Sequence, residues 1–226
     1  MRRIRLAALS VAMVLAVGAF NTASAITILN FGQANNLLLI TGDNDGAGST
    51  SITSTDVPIT ITQLENAATP IDAYFTLSLN SIGAADDTSI PGAILQPYAG
   101  TIQIYSEALL GGTNYLTATV TGGLTLGLDG GSSLVFTSSQ PPGSVTFTEN
   151  GPITTLDLPR SLSLSFTDLV SVSITNGSIS DFTATVSGLF RAGAATGDIP
   201  VPEPTSMLLL GTGLVGVASR LRRKKS

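Results

Sequence analysis

Clusters of acidic residues are the first feature of this sequence that could do chemistry. The segment 43–46, Asp-Asn-Asp-Gly, combines carboxylate and amide oxygens with a glycine that permits a tight turn, as calcium-binding loops do. A full calcium loop also supplies a third pair of ligands and a distal acidic residue in register, and this sequence has neither. We therefore expect a solvated turn. If the turn does hold Ca²⁺, its ligands are Asp43 and Asp45, and Asp86 and Asp87 form a second candidate pair.

Residues suited to catalysis are scarce. The chain contains no cysteine, histidine or tryptophan, so it lacks thiolate nucleophiles, zinc-thiolate sites and the commonest general base. Residues 26–200 also lack lysine, so their many serines and threonines have no evident activating partner. Two carboxylates could hydrolyse a glycosidic bond across a cleft, but no spacing selects such a pair. We predict that the protein is not an enzyme, and a secreted polysaccharide hydrolase is the least favoured alternative.

Aromatic side chains could instead line a carbohydrate-binding face. The chain has four tyrosines, which ordinary packing explains equally well, and a few phenylalanines fall at inward strand positions, where they are expected to be core. A lectin-like module that holds polysaccharide, with or without calcium, is therefore the alternative function that the sequence leaves open. The candidate tyrosines are Tyr74, Tyr98, Tyr105 and Tyr115.

Charge is distributed unevenly along the chain. Eight of the ten lysines and arginines lie at the two ends, and only Arg160 and Arg191 lie between residues 26 and 200. That same region carries all but one of the 15 acidic residues. Because a body so short of cations cannot grip a phosphate backbone, the sequence disfavours nucleic-acid binding.

The elements that must position these residues are β-strands. Hydrophobic and hydroxyl side chains alternate with a period of two, which is typical of strands that are buried on one face. Turn signals rich in Gly, Pro and Asn separate these strands, and Asn176-Gly177 predicts a type I′ hairpin between Ile174 and Ile179. The pattern predicts an antiparallel β-sandwich of roughly 10–12 strands over residues 26–190. The clearest segments are FTLSLN at 75–80, YLTATVT at 115–121, SLSLSFT at 161–167 and DFTATVSGLF at 181–190.

The amino terminus has the layout of a secretory signal peptide. Residues 1–25 begin with arginines, continue with an apolar run and end in a small-residue pattern at Ala23 and Ala25. This arrangement predicts cleavage after Ala25 and export of the body through the inner membrane.

The carboxy terminus combines three different segments. Residues 191–200 lose the alternation and become rich in Ala, Gly and Pro, which predicts an extended linker. Residues 205–219 carry no charge and predict a short transmembrane helix. The basic tail, residues 220–226, predicts that this end stays in the cytoplasm while the body lies outside. Its cations are Arg220, Arg222, Arg223, Lys224 and Lys225.

Residues 201–226 as a whole resemble the PEP-CTERM sorting signal of Gram-negative bacteria, with Pro202, Glu203 and Pro204 as the matching tripeptide. The resemblance implies that an exosortase recognises this region and cleaves near it. It also implies that the protein, first held in the membrane by one segment, then joins the cell surface or the extracellular polysaccharide matrix. Our first hypothesis is accordingly a structural or adhesive surface protein. The alternative to a sorting signal is a plain single-pass membrane anchor that happens to contain the tripeptide.

Overall fold

The structure is a computed structural model that describes residues 25–140 and 144–193. These residues form twelve β-strands, as the period-two pattern predicts. Within the described ranges, no helix is long and apolar enough to cross a membrane. The strands are β1 (Ala25–Gln33), β2 (Ile40–Asn44), β3 (Thr50–Leu64), β4 (Ile71–Ser81), β5 (Ala93–Glu107), β6 (Gly111–Leu128), β7 (Leu134–Gln140), β8 (Val145–Thr148), β9 (Asp157–Thr167), β10 (Ile174–Thr175), β11 (Ser178–Ile179) and β12 (Phe182–Gly193).

Every pairing between these strands is antiparallel, and the main sheet closes on itself. β1 and β2 occupy one position in the ring, because both pair with β3 on one side and with β12 on the other. β7 and β8 share a second position beside β6. β4 and β5 connect β3 to β6, and β9 connects β7 to β12. The ring therefore contains eight strand positions, which follow one another in chain order.

The predicted β-sandwich is wrong, because the structure is a closed antiparallel barrel. The alternation itself is confirmed: Phe75, Leu77 and Leu79 of β4 are all buried. A period of two shows only that one face of each strand is buried. It does not show whether that face packs against a second sheet or against the far wall of the same sheet. The prediction failed at this second step.

Side chains fill the interior of the barrel. The ring of Phe31 lies 5.1 Å from that of Phe75 and 6.3 Å from that of Phe190, measured between centroids. Gly188 on β12 makes room for this cluster, since a Cβ at that position would meet the Phe31 ring. The interior is thus a packed core, as expected for a barrel of about eight strands.

Each end of the barrel is covered by its own segment. At the hairpin end, where β2 turns into β3, the β10–β11 hairpin lies over the opening and buries Ser178 and Ile179. Its pairing of Ile174 with Ile179, and positive φ values of 52° and 79° at Asn176 and Gly177, confirm the predicted hairpin.

At the opposite end, which we call the termini end, β1 begins beside the last residue of β12, with Ala25 paired to Gly193. The segment 150–156 covers this opening and buries Ile153. The Glu65 carboxylate holds the segment by accepting bonds from the backbone N–H and the hydroxyl of Thr155, at 3.1 and 2.6 Å. Both ends of the barrel are therefore closed by ordered chain.

Candidate functional site

In the acidic turn between β2 and β3, the Asp45 side chain bonds backbone groups of the same turn. Asp45 Oδ1 accepts bonds from the N–H groups of Ala47 and Ser49, at 2.8 and 3.0 Å. These bonds, with Ser49 the stronger, lower the pKa of Asp45. Asp43 lies at the end of β2, opposite Ser51. Among the described residues, no group of three or more acidic, His or Cys side chains is placed to hold a metal ion.

The second acidic pair has a similar arrangement. Asp86 Oδ1 accepts bonds from the N–H and hydroxyl of Thr88, both at 2.8 Å, and from the N–H of Ser89 at 3.0 Å. Hydrogen bonds from Ser89 and Thr88 hold the pKa of Asp86 well below its ordinary value. Asp87 is exposed and takes no part in these bonds. The ionised Asp86 carboxylate thus closes a turn between β4 and β5.

Asn44, which the sequence places in the candidate calcium turn, anchors the hairpin. Its Nδ2 donates to the carbonyls of Thr175 and Ile179, at 3.0 and 2.9 Å. Its backbone N–H donates to the carboxylate of Asp181 at 2.6 Å. The amide and this carboxylate therefore fix the β10–β11 hairpin over the barrel opening. Local sequence gave no signal for this role, because the partners lie more than 130 residues away.

A buried polar network lies beneath the hairpin. Gln96 Nε2 donates to Ser178 Oγ at 2.6 Å, and Ser178 Oγ lies 2.6 Å from Thr50 Oγ1, which donates to the Ile179 carbonyl. Tyr98 donates its hydroxyl to Gln96 Oε1 at 3.1 Å. Burial raises the pKa of Tyr98 above its ordinary value. The Tyr98 phenol is thus neutral, and it contributes to the buried hydrogen-bond network of the core.

The structure separates the four tyrosines. Tyr98 is fully buried inside the barrel, and Tyr115 packs against the core. Tyr74 on β4 and Tyr105 on β5 lie directly opposite each other on the outer face. Asn114 of β6 is the next residue along the same row. Only two of the four candidate residues therefore share a solvent-facing surface.

The targeting segments lie almost entirely outside the described residues. Ala23, the tripeptide 202–204, the predicted helix 205–219 and the basic tail are all in this category, as are residues 194–200 of the predicted linker. The first three residues of that linker, 191–193, instead continue the alternation and belong to β12. Ala25 is described and is the first residue of β1. Both targeting segments therefore join the barrel at its termini end.

Comparison with known protein families identifies the end of the chain. The family model of the PEP-CTERM protein-sorting motif matches residues 200–224, which include the tripeptide, the uncharged segment and most of the basic tail. No curated protein and no solved structure matches the chain. A protein with this motif is exported and targeted to an exosortase, which sorts it to the cell surface. The chain is therefore identified, through residues 200–224, as a PEP-CTERM sorting-signal protein.

Proposed function

We propose that the barrel is the cargo of this sorting signal and serves a structural or adhesive role at the cell surface or in the extracellular matrix. In this proposal, residues 205–219 hold the chain in the membrane as a single span until the exosortase cleaves near Pro202–Pro204. The body that remains is the part that acts outside the cell.

The observation that carries the adhesive role is a row of hydroxyl side chains around the outside of the barrel. Each member lies opposite the next on a neighbouring strand, and all face away from the core. A row of this kind offers many donors and acceptors at the inter-strand spacing of about 4.8 Å, without charge that would repel an acidic matrix. The row consists of Thr183, Thr41, Thr53, Ser78, Thr101, Thr119 and Thr146.

The packed interior supports the same role. Core side chains fill the barrel and both openings are covered, so the described fold resembles a spacer or adhesive unit more than a carrier that encloses a ligand.

The two targeting segments join the barrel at the termini end, where Ala25 pairs with Gly193. Cleavage after Ala25 and near Pro202–Pro204 would remove the first residue of β1 and leave every other strand residue in place.

Retention in the matrix tests the adhesive role separately from sorting. In cells that make the exosortase, we expect the double variant Thr101→Val/Thr119→Val to be processed normally but to wash out of the matrix more readily than the wild type. A matched double variant outside the row, Thr60→Val/Ser187→Ala, should be retained like the wild type. Equal retention of all three processed proteins would count against the hydroxyl row.

A second candidate function is binding of neutral polysaccharide, favoured by the opposed Tyr74 and Tyr105. Aromatic side chains on a strand face can stack against sugar rings, and Asn114 adds an amide beside them. Co-sedimentation with an insoluble glucan tests this function. The double variant Tyr74→Ala/Tyr105→Ala should abolish it, and a loss of binding on addition of chelator would establish assistance by calcium. Equal co-sedimentation of wild type and variant would refute the role of the pair.

A further inference from the structure

A groove crosses the outer face of the barrel where β6, β7, β9 and β12 lie side by side. Its first row of side chains runs across all four strands, because Leu124 pairs with Thr137, Thr137 with Ser163, and Ser163 with Leu189. Two hydroxyl groups in this row are therefore framed by two leucines. The groove has a volume of about 580 Å³, within the range of roughly 300–1,000 Å³ that is usual for small-ligand clefts.

The second row of the groove lies two residues further along the same strands. Ser139 on β7 pairs with Ser161 on β9, and Ser161 pairs with Arg191 on β12. The four hydroxyls of the two rows thus form a two-by-two array, with the Arg191 guanidinium at one corner. No acidic side chain lines the groove among the described residues.

These hydroxyls differ from two outward pairs on the barrel whose members bond each other. Thr41 bonds Thr53 at 3.2 Å, and Thr167 bonds Thr185 at 2.8 Å, so those pairs satisfy each other. The hydroxyls of the array have no side-chain hydrogen-bond partner in the part of the chain that the structure describes. They are therefore available to donate to, and accept from, a bound molecule.

Charge makes this groove exceptional in an acidic body. Of the two arginines within residues 25–193, Arg160 donates its Nε to the Leu156 carbonyl at the termini end. Arg191 is exposed at the edge of the groove. The groove therefore offers one cation to an anion, and no carboxylate is among its lining residues. A planar guanidinium is suited to bind a carboxylate through two parallel hydrogen bonds.

We propose that this groove binds a carboxylate-bearing sugar unit, such as a uronate of an acidic extracellular polysaccharide. The carboxylate pairs with Arg191, the sugar hydroxyls bond the array, and Leu124 and Leu189 contact the C–H groups of the ring. A neutral sugar leaves the guanidinium without an anion, and a small inorganic anion leaves the array and both leucines without contacts. The inference concerns the barrel alone, so it stands whether or not the hydroxyl row or the tyrosine pair acts as proposed above.

Titration calorimetry at low ionic strength tests the groove, with the full-length chain in a neutral detergent. The probes are an oligogalacturonate, glucuronic acid, neutral dextran and sodium sulfate. We expect the two acidic sugars to bind through Arg191, and Arg191→Gln to leave any heat of dextran binding unchanged. Arg191→Gln should weaken oligogalacturonate binding about ten- to hundredfold, the range for loss of a charged hydrogen bond. Asn80→Asp, at an exposed position of β4 across the barrel, changes the net charge by the same amount and should change the affinity less than twofold.

A second variant separates the sugar from the anion. Ser161→Ala/Ser163→Ala should weaken oligogalacturonate binding without altering any response to sulfate. Far-ultraviolet circular dichroism of each variant establishes that the barrel is folded. The proposal is overturned if none of the acidic sugars binds, if sulfate binds as tightly as glucuronic acid, or if Asn80→Asp weakens binding as much as Arg191→Gln. It is also overturned if Tyr74→Ala/Tyr105→Ala removes the binding while Arg191→Gln leaves it unchanged.

Discussion

Two buried threonines with opposite hydrogen-bonding states allow a sharp test of how the barrel opening is closed. Thr50 and Thr125 are 1 % and 0 % exposed. Thr50 links Ser178 to the Ile179 carbonyl, whereas Thr125 Oγ1 has no hydrogen-bond partner among the described residues. Thr→Val replaces a hydroxyl with a methyl group of similar size. The same substitution should therefore have opposite effects at the two positions.

The magnitudes follow from the partners that each substitution leaves behind. In Thr50→Val, the Ile179 carbonyl keeps the Asn44 Nδ2 donor at 2.9 Å, but the Ser178 hydroxyl loses its acceptor. One buried donor without a partner costs roughly 1–3 kcal/mol, so we expect a loss of about 2 kcal/mol. Thr125→Val removes an unpaired buried hydroxyl and should stabilise the fold by about 1 kcal/mol. The two variants should thus differ by about 3 kcal/mol in free energy of unfolding.

Urea denaturation followed by far-ultraviolet circular dichroism measures this difference, since the chain has no tryptophan to report by fluorescence. Thermal unfolding gives a second measure. For a domain of this size, the Tm values of the two variants should differ by roughly 6–12 °C, with Thr50→Val below the wild type and Thr125→Val above it. Equal stabilities of the two variants, or a Thr50→Val variant as stable as the wild type, would refute the conclusion that this network holds the hairpin.

Two further predictions concern the core and the termini end. Gly188→Ala should destabilise the fold by roughly 1–3 kcal/mol because its Cβ would meet the Phe31 ring. Gly32→Ala has no heavy atom within 4 Å of its Cβ and should leave the free energy of unfolding unchanged in the same urea titration. Equal losses of stability in the two variants would contradict the packing argument. For Glu65, burial raises the pKa, but hydrogen bonds from Thr155 and Thr154 outweigh it, so the folded-state pKa is below the ordinary 4.5. The contribution of the Glu65 carboxylate to stability is therefore present above pH 4.5 and lost as the pH falls below that value. Glu65→Gln should flatten the fall of the urea midpoint below pH 4.5. An unchanged pH profile would contradict the role of this carboxylate.

The sequence predicted local structure well because local structure depends on neighbouring residues. The alternation located the main strands, and Asn176-Gly177 located the hairpin with its positive φ values. Closure of the sheet could not be predicted in this way, because it depends on the pairing of β12 with both β9 and β1. That pairing joins the beginning of the chain to the end of the body.

A β-bulge in the middle of β6 explains why the period-two pattern does not predict one wall of the groove. Val120 and Gly123 both face inward, and the pairing to β5 shifts register between them. This shift moves the alternation by one residue, so Leu124 lies 40 % exposed on the outer face. A strict period of two carried on from Val120 would have placed Leu124 inside the barrel.

The acidic clusters were difficult to interpret from sequence for a different reason. Asp45 and Asp86 have the composition of metal ligands, but their oxygens accept bonds from nearby backbone N–H groups. Turns of this kind and metal loops use the same residue types, and only the geometry distinguishes them.

The intact mass of the mature protein tests the central claim most directly, measured in cells with and without the exosortase. The account predicts a mature chain that begins at Ile26 and, only when the enzyme is present, ends near Pro202–Pro204. A mature chain that retains Leu221–Ser226 in the presence of the enzyme would contradict the account.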